Sequence, residues 1–104
     1  MMYHHVMMDD LTGFQRDLLY VIGSFDEESP PHGLAIKDEI EKGYSGEINH
    51  GRLYPNLDSL REMGLIEKGT IDKRTNSYEL SQRGRRELET RREWESELVD
   101  LNTA

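Results

Sequence analysis

The chain has 104 residues, 35% hydrophobic and 33% charged, with a net charge of −8 and no cysteine. That length makes one domain with a small core, and a dimer interface would be a natural way to bury more apolar area. Disulfides, thiolate zinc sites and thiol redox sensing are excluded. No apolar run approaches the roughly 20 residues that cross a bilayer, and no signal-peptide pattern opens the chain, so a cytoplasmic location without a membrane partner is expected.

The charge is unevenly spread. Residues 1–47 hold three basic and ten acidic side chains, whereas residues 68–86 hold Lys68, Lys73, Arg74, Arg83, Arg85 and Arg86 against Asp72 and Glu79. A local basic stretch decides where a polyanion docks more than total charge does. Of the thirteen cationic side chains nine are Arg and four are Lys. Low lysine with abundant Asp and Glu resembles the composition of haloarchaeal proteins, whose surfaces work in molar salt where the screening length is only about 3 Å.

Residues 1–11 read as an N-terminal arm carrying His4, His5 and four of the five methionines. Adjacent histidines on an extended arm point opposite ways, so no metal site is expected there. Thr12 with Gln15 three residues later makes a capping-box start for a first helix. Phe14, Leu18, Val21 and Ile22 give it one apolar stripe. Asp26 to His32, with Pro30 and Pro31, reads as a solvated loop. A second helix is expected from about Gly33 to Lys42, with Leu34, Ile36 and Ile40 as its apolar positions and Gly43 as its terminator.

A third helix begins at Asn49, whose side chain can cap the first free amides. Leu53, Leu57 and Leu60 form its core stripe, Pro55 interrupts its hydrogen-bond ladder, and Gly64 ends it. Leu65 to Ile71 is β-like, Asp72 to Asn76 reads as a polar turn, and Ser77 to Leu80 as the returning strand. Ser81 then caps a last helix reaching about Leu101, with Leu88, Trp94, Leu98 and Leu101 sparse among charges, as in a dimerisation strut. The order is that of a winged helix-turn-helix: an α+β, mostly α fold with an added C-terminal dimerisation helix. Residues 1–11 are the arm, 12–81 the winged unit, and 82–104 the last helix and tail.

This arrangement points to DNA. The start of the third helix, Asn49, His50, Gly51, Arg52 and Asn56, is the polar head a reading helix needs. Arg52 is the leading candidate for base contact, because a guanidinium can engage guanine O6 and N7 together. Asn56 either reads adenine or faces solvent; His50 touches a phosphate or base, and Asn49 can be only a cap. Lys73 and Arg74, with Thr75 and Asn76, form a wing that holds phosphate or enters the minor groove, though a solvated turn is the plain alternative beside Asp72. Gln15 and Arg16 can join helix amides in holding a phosphate. Arg83, Arg85 and Arg86 extend a phosphate track or pair with glutamates on their own helix, with Arg83 the candidate for phosphate. No nucleophile-base pair, glycine-rich phosphate loop or His-Glu metal motif is present, so neither an enzyme nor a cofactor is expected. An effector-binding sensor is a further reading, but no small-molecule ligand can be identified from the sequence.

The string Leu53-Tyr54-Pro55-x-Leu57-x-x-Leu60-x-x-x-Gly64-Leu65-Ile66 resembles the signature of the PadR family of transcriptional regulators. Tyr78-x-Leu80-Ser81-x-x-Gly84-x-x-x-Leu88 is similar to that family's wing-to-helix junction, where Thr is usual in place of Ser81. With Gly33 the resemblance spans most of residues 12–90, and the chain looks most like short haloarchaeal members, a group that includes oxidative-stress regulators. It implies a homodimeric DNA binder, usually a repressor, with terminal helices in the interface and the Tyr54 hydroxyl on a phosphate. The corresponding operator is an inverted repeat. Acidic groups near DNA also suggest inorganic cations bridging the interface. The rival is a winged-helix protein-interaction module or DNA mimic, against which the basic wing and Arg52 weigh.

Overall fold

Three side chains each accept an amide proton from the third residue after their own and so start three of the helices. The computed structural model describes residues 8–99 apart from the Asp9 side chain; expectations for residues 1–7 and for Leu101 fall outside that range. Met8–Asp10 forms a short 3-10 turn, followed by helix α1, Gly13–Gly23. Thr12 accepts from the Gln15 amide while the Gln15 side chain accepts from Thr12 N, a complete capping box. Helix α2 is Gly33–Glu41 and helix α3 His50–Glu62. Asn49 Oδ1 accepts from Arg52 N at 2.9 Å and starts α3.

The end of α3 is equally local. Gly64 adopts φ +79°, which a side chain would strain. Gly64 N then donates to Arg61 O and Leu65 N to Leu60 O, the paired bonds of a Schellman stop. That stop delivers the chain into strand β1, Ile66–Asp72, which pairs antiparallel with strand β2, Thr75–Leu80. Only Ile66 of β1 is buried, so most of the hairpin stands in solvent as a wing. The register slips between Thr70 and Asp72, leaving a bulge near the tip.

Two departures from the sequence reading occur here. The wing tip is tighter than Asp72 to Asn76: Thr75 and Asn76 lie in β2, leaving Lys73 and Arg74 as the loop. The reason is Asp72, whose Oδ1 accepts from the amides of Arg74 and Thr75 and closes the turn. Secondly, Pro31 and His32 are not simply a solvated loop. Pro31 is buried, its carbonyl accepts from Tyr78 N at 2.9 Å, and His32 bridges Ser77. They supply a short third edge that ties the start of α2 to the wing.

The core is one cluster: Phe14, Leu18, Leu19 and Ile22 of α1, Ile36 and Ile40 of α2, Leu53, Leu57 and Leu60 of α3, with Ile48, Leu65, Ile66, Tyr78 and Leu88 around them. Met8 and Leu11 of the arm join it. Leu34 is not among these. It is 50% exposed, because its position is two residues from Ile36 and so on the opposite side of the helix.

Helix α4, Gln82–Leu98, is held by Ser81. Its hydroxyl donates to Gly64 O and accepts from Gly84 N, while its own amide donates to Leu65 O. One residue thus caps α4 and pins it against the exit of α3. Leu88 belongs to the core of its own chain, whereas Trp94 and Leu98 further along α4 are exposed. Arg85 pairs with Glu27 across the fold rather than with a glutamate of its own helix. Among the described residues no helix is long and apolar enough to cross a membrane.

Candidate nucleic-acid interface

The first turns of α3, the N-terminus of α2 and the wing face a common opening. Tyr54 of α3 lines a cleft of about 220 Å³ together with Gly33 of α2 and Arg74, Thr75 and Asn76 of the wing. The Tyr54 ring crosses the start of α2 so closely that a Cβ at position 33 would occupy the space of its hydroxyl. Gly33 therefore sets how near α3 lies to α2. The start of α2 lacks a side-chain cap, since His32 makes no capping bond. Its first residues, Gly33 and Leu34, line the same cleft as Tyr54 and Arg74, a combination of residues suited to a phosphate.

The residues expected to read bases are distributed unequally. Asn49, His50, Gly51 and Arg52 are exposed at the head of α3. Asn49 spends its carbonyl oxygen as the helix cap. The His50 ring meets the Tyr54 ring edge-on at 5.6 Å. Arg52 does not extend freely. Its guanidinium carbon lies 4.0 Å from the centre of the Phe14 ring and 5.8 Å from that of Tyr44. Phe14 and Tyr44 pack edge to face, and the Tyr44 hydroxyl donates to Asp17 at 2.6 Å. Burial, followed by the bond to the Asp17 carboxylate, pushes the Tyr44 hydroxyl above its ordinary pKa.

Asn56 is half-buried and its amide is engaged at both ends. Its Oδ1 accepts from Gln15 Nε2 at 3.1 Å, and its Nδ2 donates to Arg52 O at 2.7 Å. Those bonds link α1 to α3 and give Asn56 a structural role. The three expected phosphate contacts also serve the fold. Gln15 is buried between Thr12 and Asn56. Arg16 donates to the carbonyls of Met8 and Leu11, holding the arm on α1. Arg83 donates to Met63 O at the end of α3. Lys73, Arg74 and Asn76 of the wing are exposed, with Thr75 half-buried.

Sequence reasoning missed Phe14 and Tyr44 as neighbours of Arg52, and Pro31 and His32 as part of the sheet. Nothing local signals the first pair, because the three residues come from α1, the turn after α2, and α3. Among the described residues no group of three His, Cys, Asp or Glu side chains converges as a metal site.

A helix-turn-helix made by α2 and α3, with a hairpin wing beside the head of α3, defines a winged helix-turn-helix protein. The chain belongs to the transcriptional regulator PadR-like family, whose pattern matches residues 18–90. The structure of RosR from H. salinarum is similar at 45% identity, with a TM-score of 0.78, over 90% of this chain and 82% of that one. A complex named RosR-S1 is 47% identical, with a TM-score of 0.77, over 86% and 76% of the two chains. PadR of Bacillus subtilis in complex with operator DNA shares the fold, with a TM-score of 0.61 and 20% identity over 76% of this chain and 46% of that one. No curated protein matches the chain.

Proposed function

We propose that this chain is a sequence-specific double-stranded DNA-binding transcriptional regulator, a repressor acting as a homodimer on an inverted-repeat operator. The head of α3, from Asn49 to Arg52, enters the major groove. Tyr54 and the start of α2 hold the phosphate beside it, and Lys73 and Arg74 of the wing hold flanking backbone. The observation that carries this reading is the shared cleft: Tyr54 of the reading helix and Arg74 of the wing flank the same uncapped helix start. A duplex lying on α3 meets all three at once.

The two chains pair through the outer face of α4 in this proposal, a reading supported by the exposure of Trp94 and Leu98 there, 49% and 62%. The acidic, lysine-poor composition and the resemblance to short haloarchaeal family members extend the proposal to a high-salt setting and a stress response, with inorganic cations bridging carboxylates near the DNA. Genome-wide immunoprecipitation from cells grown in their native salt tests the reading. Enrichment of promoter segments that share an inverted repeat is the expected result. Enrichment of no DNA, with capture of a protein partner instead, would favour a winged-helix docking module.

A further inference from the structure

We infer that Phe14 and Tyr44 are positioning residues that hold the Arg52 guanidinium in the orientation it uses on DNA, with Asp17 anchoring the Tyr44 ring. This rests on the proposed role of Arg52 in base contact. The guanidinium carbon stands 4.0 Å from the Phe14 ring centre, well within the roughly 6 Å over which a cation is attracted to an aromatic face. Phe14 is only 6% exposed, so the ring is itself fixed by the core. Tyr44 abuts it at an interplanar angle of 81° and is anchored by its hydroxyl on Asp17.

Attraction of the cation to a ring takes up no hydrogen-bond acceptor, so the in-plane N–H edge of the guanidinium stays available for other partners. Guanine recognition needs that edge, two parallel donors aimed at O6 and N7. The backbone of the same residue is also held, because Asn56 Nδ2 donates to Arg52 O while Gln15 holds Asn56. Arg52 is therefore restrained at both ends by α1 and the turn after α2. An arginine ordered before DNA arrives loses less rotamer freedom on binding, so the seat raises affinity for the matching base pair and leaves other sequences nearly unaffected. The aromatic seat is a specificity device lying outside the reading helix.

The test uses the full chain and a duplex it selects from a random double-stranded pool. Affinity is then measured for that duplex and for each single base-pair replacement. Arg52→Ala is expected to lower discrimination at one position of each half-site by about tenfold or more. Tyr44→Leu, which keeps apolar bulk but no aromatic face, is expected to lower it at that same position by about three- to tenfold. Affinity for unrelated duplex should stay within about twofold. Tyr44→Phe, which keeps the ring but loses its bond to Asp17, and exposed Asp17→Ala should both shift in the direction of Tyr44→Leu, by a smaller amount. Circular dichroism confirms folding; if Tyr44→Leu does not fold, Asp17→Ala and Tyr44→Phe decide. If Arg52→Ala loses discrimination but Tyr44→Leu and Asp17→Ala do not, the seat is overturned while base contact by Arg52 survives. Tighter binding by Tyr44→Leu also overturns it, because the stack would then be a resting pose that DNA must break. Unchanged discrimination in Arg52→Ala removes the base-contact reading and this inference with it.

Discussion

Gln15 of α1 donates its Nε2 to Asn56 Oδ1 of α3 at 3.1 Å, and through it the cap of one helix is joined to the middle of the other. The Gln15 side chain is buried and serves two partners, Thr12 N through Oε1 and Asn56 through Nε2. Asn56→Ala removes the second partner and leaves a buried amide donor unsatisfied. The expected cost is about 1–3 kcal/mol, read from the midpoint of urea unfolding at unchanged slope. A midpoint equal to the parent's would mean that this bond does not couple α1 to α3.

Gly33 and Tyr54 form a tight contact of a different kind. Gly33→Ala places a methyl group where the Tyr54 hydroxyl lies, so ring or helix must move, at about 1–3 kcal/mol as in other overpacked sites. Tyr54→Ala opens that space. In a double-mutant cycle the two changes should therefore be non-additive, with a coupling of about 0.5–3 kcal/mol. Additive losses would show that the two residues are not in steric contact in solution.

The wing carries a pH dependence. Backbone bonds from Arg74 and Thr75 hold the Asp72 carboxyl below its ordinary pKa, the Arg74 amide contributing most. A depressed folded-state pKa means that the ionised carboxylate favours the folded turn. This contribution is present above the unfolded pKa and is lost as pH falls through the folded one. Amide exchange at Arg74 and Thr75, corrected for intrinsic rates, should accelerate in acid below the usual carboxylate range. Asp72→Ala should show fast exchange at every pH; slow, pH-independent exchange in that variant would contradict the role given to Asp72.

Arg52 and Lys73 should differ in kind on DNA. Arg52→Ala is expected to cost about 1–3 kcal/mol on the selected duplex and little on random duplex. Lys73→Ala, at a backbone contact, should weaken both about equally and reduce the salt slope by about one. Anisotropy titrations at several salt concentrations distinguish them. A salt slope that stays steeply negative through molar salt would argue against bridging cations at the interface.

In the proposed homodimer the outer face of α4 is the interface. Trp94→Ala together with Leu98→Ala should shift the chain from dimer towards monomer at fixed concentration in sedimentation velocity. Leu88 packs into the core of its own chain, so Leu88→Ala should lower thermal stability by about 2–5 kcal/mol. A dimer unaffected by the Trp94 and Leu98 changes would place the interface elsewhere.

The sequence by itself determined the helices, their starts and the stop of α3. Thr12, Asn49, Ser81 and Gly64 act on amides and carbonyls within a few residues, and the Leu53, Leu57 and Leu60 stripe repeats with the turn of the helix, so each can be read from neighbours alone. Tertiary structure decided which polar groups are engaged within the fold. Gln15, Arg16 and Arg83 look like phosphate ligands in isolation, yet each meets a backbone or side-chain partner brought to it by packing. Pro31 becomes part of a sheet only because Tyr78 arrives beside it. Arg52 gains its aromatic seat from residues 38 and eight positions away in the chain, Phe14 and Tyr44. The physical reason is range. Caps and periodicity are settled within about a helical turn, whereas the orientation of a long side chain depends on surfaces that meet only when distant segments close on one core.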